Sequence, residues 1–235
     1  MFRSYVLLKS LHVLLVAVWL GMDFGTFYTY RRLRDSSLSI ETRKQMYRVF
    51  AFLDMGPRTA LVLMLTLGVG LSYLGRWGFT GSSGRIFAIV TAIVGVLWVA
   101  ALWHQHWVHS APSGFPRAAG HVKTQQIFRL FDIWLRLGLA GGLAVAAVIS
   151  LVGESGVIAV DWLAWKLVLF AGIVLSGVGI RLFLPKIASA LGEIFTNGST
   201  PQSELALTAA SRKTIGFVFA IWAFIILIVW VTVAK

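Results

Sequence analysis

The stretch 215–233, "IGFVFAIWAFIILIVWVTV", contains no charged residue. A helix needs about 20 apolar residues to cross the hydrocarbon core of a bilayer. No water reaches the peptide groups there, so the segment must satisfy its own backbone hydrogen bonds, which an α-helix does. Five further runs have the same character. The spans fall at 6–29, 57–75, 86–108, 137–153, 161–184 and 214–234, and the fourth helix is expected to begin earlier, near Thr124. The expected fold is all-α, a six-helix transmembrane bundle forming a single integral membrane domain over 1–235.

Composition agrees. Of 235 residues, 58% are hydrophobic and 13% charged, about half the charge of an ordinary soluble domain. There is no cysteine, which excludes disulfides, thiolate metal sites and cysteine nucleophiles. In a soluble chain a net charge of +12 would suggest nucleic acid. In a membrane chain it is read as basic loops facing an anionic leaflet, with no nucleic-acid partner. Arg3 and Lys9 precede the first apolar run as in a signal peptide. Asp23 interrupts that run and no cleavage site follows, so the first span is read as retained.

The connections alternate in charge. The first carries Arg31, Arg32, Arg34, Arg43, Lys44 and Arg48; the third, Arg117, Lys123, Arg129 and Arg136; the fifth, Arg181, Lys186, Arg212 and Lys213. The second has only Arg76 and Arg85, and the fourth, "GESGVIAVD", has no Lys or Arg. The positive-inside rule then puts loops one, three and five inside and both termini outside. "SIETRKQMYRVF" (39–50) reads as an amphipathic helix on the inner surface with Ser39 as its cap. "TNGSTPQSE" (196–204) reads as a turn, with Thr200 capping a helix that Pro201 opens and that continues into the last span.

Residues 47–75 and 128–153 resemble each other. Asp54 aligns with Asp132, Arg58 with Arg136 and Gly75 with Gly153. Each stretch has Arg-x-Phe, then Asp-x-x-x-Arg, then an apolar run. Helices 2–3 and 4–5 therefore read as a parallel repeat of helical hairpins, related by an axis along the membrane normal. The i, i+4 spacing puts each Asp and Arg on one helix face. Either each pair neutralises itself locally, with Asp54 as a helix cap, or Arg58 and Arg136 are clamps for carboxylates such as haem propionates. Gly21-x-x-x-Gly25 and Gly138-x-x-x-Gly142 read as close helix contacts. The charge-free last span reads as a lipid-facing anchor or a contact with a partner subunit.

His12, Trp19 and Asp23 share one face of the first helix. An ionisable group turned to lipid costs about 2.5–3.5 kcal/mol, so that face should point inward. A neutral imidazole there serves as an internal hydrogen-bond partner, a proton relay or an iron ligand. Asp23 reads as a partner for Arg31, Arg58 or Arg136. The third span ends "ALWHQHWVHSAP" (101–112), where His104, His106 and His109 cluster among interfacial tryptophans. His106 and His109 are spaced to hold a metal together, and His104 is expected to point inward. His104 lies ~27 Å from the outer end of its helix and His12 ~9 Å from its own, so the two cannot ligate one iron. A haem on His12 would have water, Tyr73 or an open position opposite.

"LKSLHVLLVAVWLG" (8–21), with Leu11-His12 and then Trp19-Leu20-Gly21, resembles the first helix of a bacterial membrane superfamily. That superfamily includes the copper-resistance D (CopD-like) proteins and the HemJ-type protoporphyrinogen oxidases. The resemblance covers this helix and implies haem binding at His12. Three functions are therefore carried forward. The first is a b-type haem protein of the bacterial inner membrane, acting in electron transfer with quinone or a partner redox protein, as an oxidoreductase or its subunit. Its cofactor-binding residues would be His12, Trp19, Asp54, Arg58, Asp132 and Arg136. The second is a copper-handling permease using His104, His106 and His109. The third is a cofactor-free anchor subunit of an oligomer or larger complex.

Overall fold

The computed structural model describes residues 2–78, 80–109, 119–153 and 158–234, and only the backbone at 2, 108–109, 119–126 and 128–129. The described residues form seven helices and no strand: α1 (Phe2–Leu33), α2 (Ile40–Leu53), α3 (Met55–Gly75), α4 (Gly81–His109), α5 (Ala119–Val152), α6 (Asp161–Asn197) and α7 (Pro201–Val233). Six segments are long and apolar enough to cross a membrane, with α2 and α3 counted as one. The fold is therefore all-α, that of a six-helix multi-pass membrane protein. The chain divides into two compact units, Met1–Ala111 and Pro112–Lys235.

In the first unit α3 is the middle helix, packed on α1 and on α4. The α1–α3 seam is antiparallel and can be followed residue by residue. Tyr5 meets Trp77 ring to ring at 6.1 Å, His12 lies over Gly68, and Met22 lies over Gly56. Tyr30 meets Phe50 at 5.5 Å. Beyond them the Arg43 Nε donates to the Leu33 carbonyl at 2.8 Å. Arg43 is fully buried and places a cation at the negative end of α1, satisfying a carbonyl that the helix leaves open. On the other side of α3, the Trp103 Nε1 donates to Thr59 Oγ1 at 3.1 Å.

The helix expected at 39–50 is present as α2, with Ser39 as its cap; it packs along α1 and runs on toward α3 through Asp54, which keeps helical angles (φ −62, ψ −18). One reading is corrected: Asp54 makes no side-chain cap, because its carboxylate is taken by Arg58.

In the second unit α6 is central, between α5 and α7. The α6–α7 hairpin buries aromatic rings against glycines. A Cβ at Gly172 would lie 2.8 Å from Phe224, and one at Gly179 would lie 2.6 Å from Phe217. The hairpin extends past the apolar spans, burying Ile187, Leu191 and Ile194 with Leu207 and Ala210. Its tip closes on a reciprocal cap between Thr200 and Ser203, with Pro201 in the first turn, as the sequence predicts. The continuous helix expected from Thr200 into the last span is present. α5 begins at Ala119, five residues before the expected start.

The expected glycine contacts hold in part. Gly25 meets Leu53 of α2, a Cβ there lying 3.1 Å from its side chain, whereas a Cβ at Gly21, Gly138 or Gly142 would meet nothing within 4 Å among the described residues. Other close approaches include Gly56, Gly95, Gly172 and Gly179, each receiving a side chain, Met22, Thr66, Phe224 and Phe217 respectively, rather than a second backbone. The last span packs along α6, burying Ser211, Thr214, Ile221 and Ile225, and leaves Phe219, Ile226, Trp230 and Val233 exposed on its other side. The glycine contrast is testable. Gly179→Ala should cost about 1–3 kcal/mol through overpacking against Phe217. Gly142→Ala should be neutral or stabilising by up to about 1 kcal/mol, since Ala is the better helix former. Thermal unfolding of the two variants in the same detergent compares them directly.

Candidate functional site

Polar groups gather at two places, one in each unit. The first is the α1–α3 seam. Helical spacing puts His12 on the side of α1 that α3 covers, facing Gly68. His12 Cε1 is 3.6 Å from where a Cβ on Gly68 would stand, and its Nδ1 is buried. Trp19 lies two turns further along α1, only 4% exposed. The imidazole and indole thus face inward, as the helical-face argument requires. Asp23 is half-buried on the same helix.

Asp54 and Arg58 form an ion pair at one end of α3, both side chains partly exposed. Arg58 lies ~15 Å along the helix from Gly68. The histidines of α4 sit near the same end, at the level of Thr59 and Trp103. Here the structure corrects the sequence reading: His104 is exposed and does not point inward. His106 is half-buried, with its ring 5.8 Å from that of Trp103. The side chain of His109 lies outside the described residues. Among the described residues, no three His, Asp or Glu side chains group as metal ligands would.

The second site is on α5 and α6. Asp132 and Arg136 form the i, i+4 pair that their spacing predicts, Nε to Oδ2 at 3.0 Å. A third residue joins them: Arg181 of α6 donates to the same Oδ2, also at 3.0 Å. Arg136 is 2% exposed and Asp132 9%. One carboxylate oxygen thus holds two guanidinium groups, one from each helix. The other oxygen, Oδ1, is buried and has no hydrogen-bond partner among the described residues. Arg181 was legible only as one more basic residue of the fifth loop. Its i, i+4 neighbours on α6 are apolar, so nothing local marks it as a partner for another helix.

The two Asp-x-x-x-Arg pairs, aligned in sequence, therefore differ in setting. Asp54–Arg58 lies on the central helix of its unit and remains wet. Asp132–Arg136 lies on an outer helix, turned toward a central helix that supplies Arg181. His12, Trp19, Asp54 and Arg58 belong to the first unit, Asp132 and Arg136 to the second.

Among known proteins, no family model, no curated protein and no solved structure matches this chain.

The difference in burial predicts a difference in cost. Asp132→Ala leaves the buried Arg136 and the partly buried Arg181 without their shared carboxylate and should destabilise the protein by about 3–5 kcal/mol. Asp54→Ala removes a partly exposed pair and should cost about 0–1 kcal/mol. Equal losses in denaturant or thermal unfolding would show that the two pairs are energetically alike.

Proposed function

We propose that this chain is a multi-pass protein of the bacterial inner membrane that holds a b-type haem at His12. Its role in this reading is electron transfer between a donor and the quinone pool or a partner redox protein, as a membrane oxidoreductase or its electron-transfer subunit. One observation carries the proposal: the imidazole of His12 is directed into the α1–α3 seam, over Gly68. Ionisable groups inside a membrane are rare because they are costly, and those that face inward mark functional sites. The likeness of residues 8–21 to the first helix of CopD-like and HemJ-type proteins supports the same residue.

Other side chains of the same unit would serve such a group. His12 offers a neutral nitrogen ligand with Nδ1 buried, so the ring's surroundings can fix its tautomer. Trp19 lies buried two turns further along α1. Arg58 carries a cation suited to a carboxylate at the membrane boundary, and Asp54 holds it in place. Bound haem would supply reversible one-electron chemistry. The loop charges favour an orientation with both termini on the outer face.

The test is optical. Purified in mild detergent after expression with a haem precursor, the protein should show a Soret band and a reduced-minus-oxidised difference spectrum. His12→Leu should abolish both, and His104→Ala should leave both intact. No Soret band after haem reconstitution would end the proposal. In that case bound copper lost on replacing His104, His106 and His109 would favour a permease, and a stoichiometric partner without a chromophore would favour an anchor subunit.

A further inference from the structure

The elbow between α1 and α2 carries cations that its own acids do not answer. Residues 31–48 include six basic side chains and two acidic ones, and both acids are engaged locally. Asp35 accepts from the backbone N–H and the hydroxyl of Ser37 and pairs with Arg32. Glu41 accepts from Gln45 Nε2 at 3.4 Å. Of the cations, Arg43 is engaged by the Leu33 carbonyl and Arg48 by Gln45. The side chains of Arg31, Arg34 and Lys44 make no hydrogen bond or ion pair to another described residue. Arg34 is also held in place. Its Nε is buried and its Cζ lies 5.9 Å from the centre of the Tyr30 ring, which leaves the terminal N–H groups as its open donors. A guanidinium fixed in advance loses less freedom when it binds. The hydrogen bond from Arg43 to Leu33 holds the start of α2 against the end of α1, so Arg34 and Lys44 each stand one residue beyond a bonded pair. Arg31 is one turn before Arg34. The elbow sits at a membrane boundary, since the span of α1 ends at Leu33 and the next begins at Ile40. One and two turns back from Arg31, on its side of α1, lie Tyr28 and Phe24, 64% and 52% exposed.

From this we infer that the α1–α2 elbow binds the headgroup of one anionic phospholipid, with Arg31, Arg34 and Lys44 taking its phosphate oxygens and Phe24 and Tyr28 lying along its acyl chains. The order of groups along this side of α1, apolar rings and then cations, is the order of a lipid from tail to head. A soluble phosphate would use the cations and leave the exposed rings without a role. The guanidinium fork of Arg34 matches two phosphate oxygens at once. A zwitterionic phospholipid offers the same phosphate but brings an ammonium group among three cations, so it should bind less well. A basic loop attracts an anionic leaflet diffusely and each of its charges counts alike; a built site ties binding to particular side chains. The elbow belongs to the first unit, and the inference depends neither on His12 nor on any haem.

Native mass spectrometry of the full chain, equilibrated in detergent with equal amounts of phosphatidylglycerol and phosphatidylcholine, tests this by counting the lipids retained. The wild type should keep one phosphatidylglycerol in preference to phosphatidylcholine. Arg34→Gln should weaken that retention about tenfold, the scale of one hydrogen bond to a charged group. Lys44→Gln should weaken it as well. Arg212→Gln removes an exposed cation from α7, in the other unit, and should leave retention unchanged. A parallel arm adds inorganic phosphate as competitor, which should not displace the lipid. Equal retention of the two lipids, or equal losses in Arg34→Gln and Arg212→Gln, would overturn the inference. Displacement by inorganic phosphate would also overturn it, by showing a site for a free anion. Should Arg34→Gln fail to fold, Lys44→Gln against Arg212→Gln, with the two-lipid comparison on the wild type, still decides it.

Discussion

The hydrogen-bonding demand of the peptide group in lipid governs everything else in this protein. A chain that crosses hydrocarbon must close its own backbone bonds, and six stretches of this one are apolar enough to do so. Once the backbone is committed to helices, the remaining freedom lies in the side chains. Apolar ones can face lipid at no cost. Polar ones cannot, and each must find a helix seam, a partner or the membrane boundary. The location of His12, Arg43, Asp132, Arg136 and Arg181 follows from that rule.

The buried charges are handled in different ways. Arg43 is fully enclosed but sits at the C-terminus of α1, where the helix dipole and the Leu33 carbonyl receive it. Asp54 and Arg58 stay partly wet, so their pairing needs little from the rest of the fold. Asp132 and Arg136 are buried, and Arg181 reaches them from a second helix. A local ion pair is self-sufficient, whereas a carboxylate shared between two helices ties those helices together.

The repeat of Asp-x-x-x-Arg hairpins can be read against the two compact units. Both hairpins are present, α3 on α4 and α5 on α6. In the first unit the extra helix, α1, packs on the first member of the hairpin. In the second unit the extra helix, α7, packs on the second member. The same motif is thereby central in one unit and peripheral in the other. Similar sequence was placed in unlike surroundings, and the surroundings decide which pair is buried.

Much of this protein was legible in its residues. The number and positions of the spans, the cap at Thr200, the inward face of His12 and Trp19 and the two local ion pairs follow from apolar run length, turn chemistry and the 3.6-residue period. All are properties of one helix at a time, dictated by the lipid solvent and backbone geometry. What needed the tertiary structure is what depends on two helices at once. The exposure of His104, the docking of α2 along α1, the close contacts at Gly25, Gly56, Gly95, Gly172 and Gly179 but not at Gly21, Gly138 or Gly142, and the recruitment of Arg181 to Asp132 all turn on which faces meet. Helical periodicity says which residues share a side, but in lipid apolar attraction does not tell one side's partner from another. Shape and charge complementarity between helices settle that, and they exist only once the helices have packed.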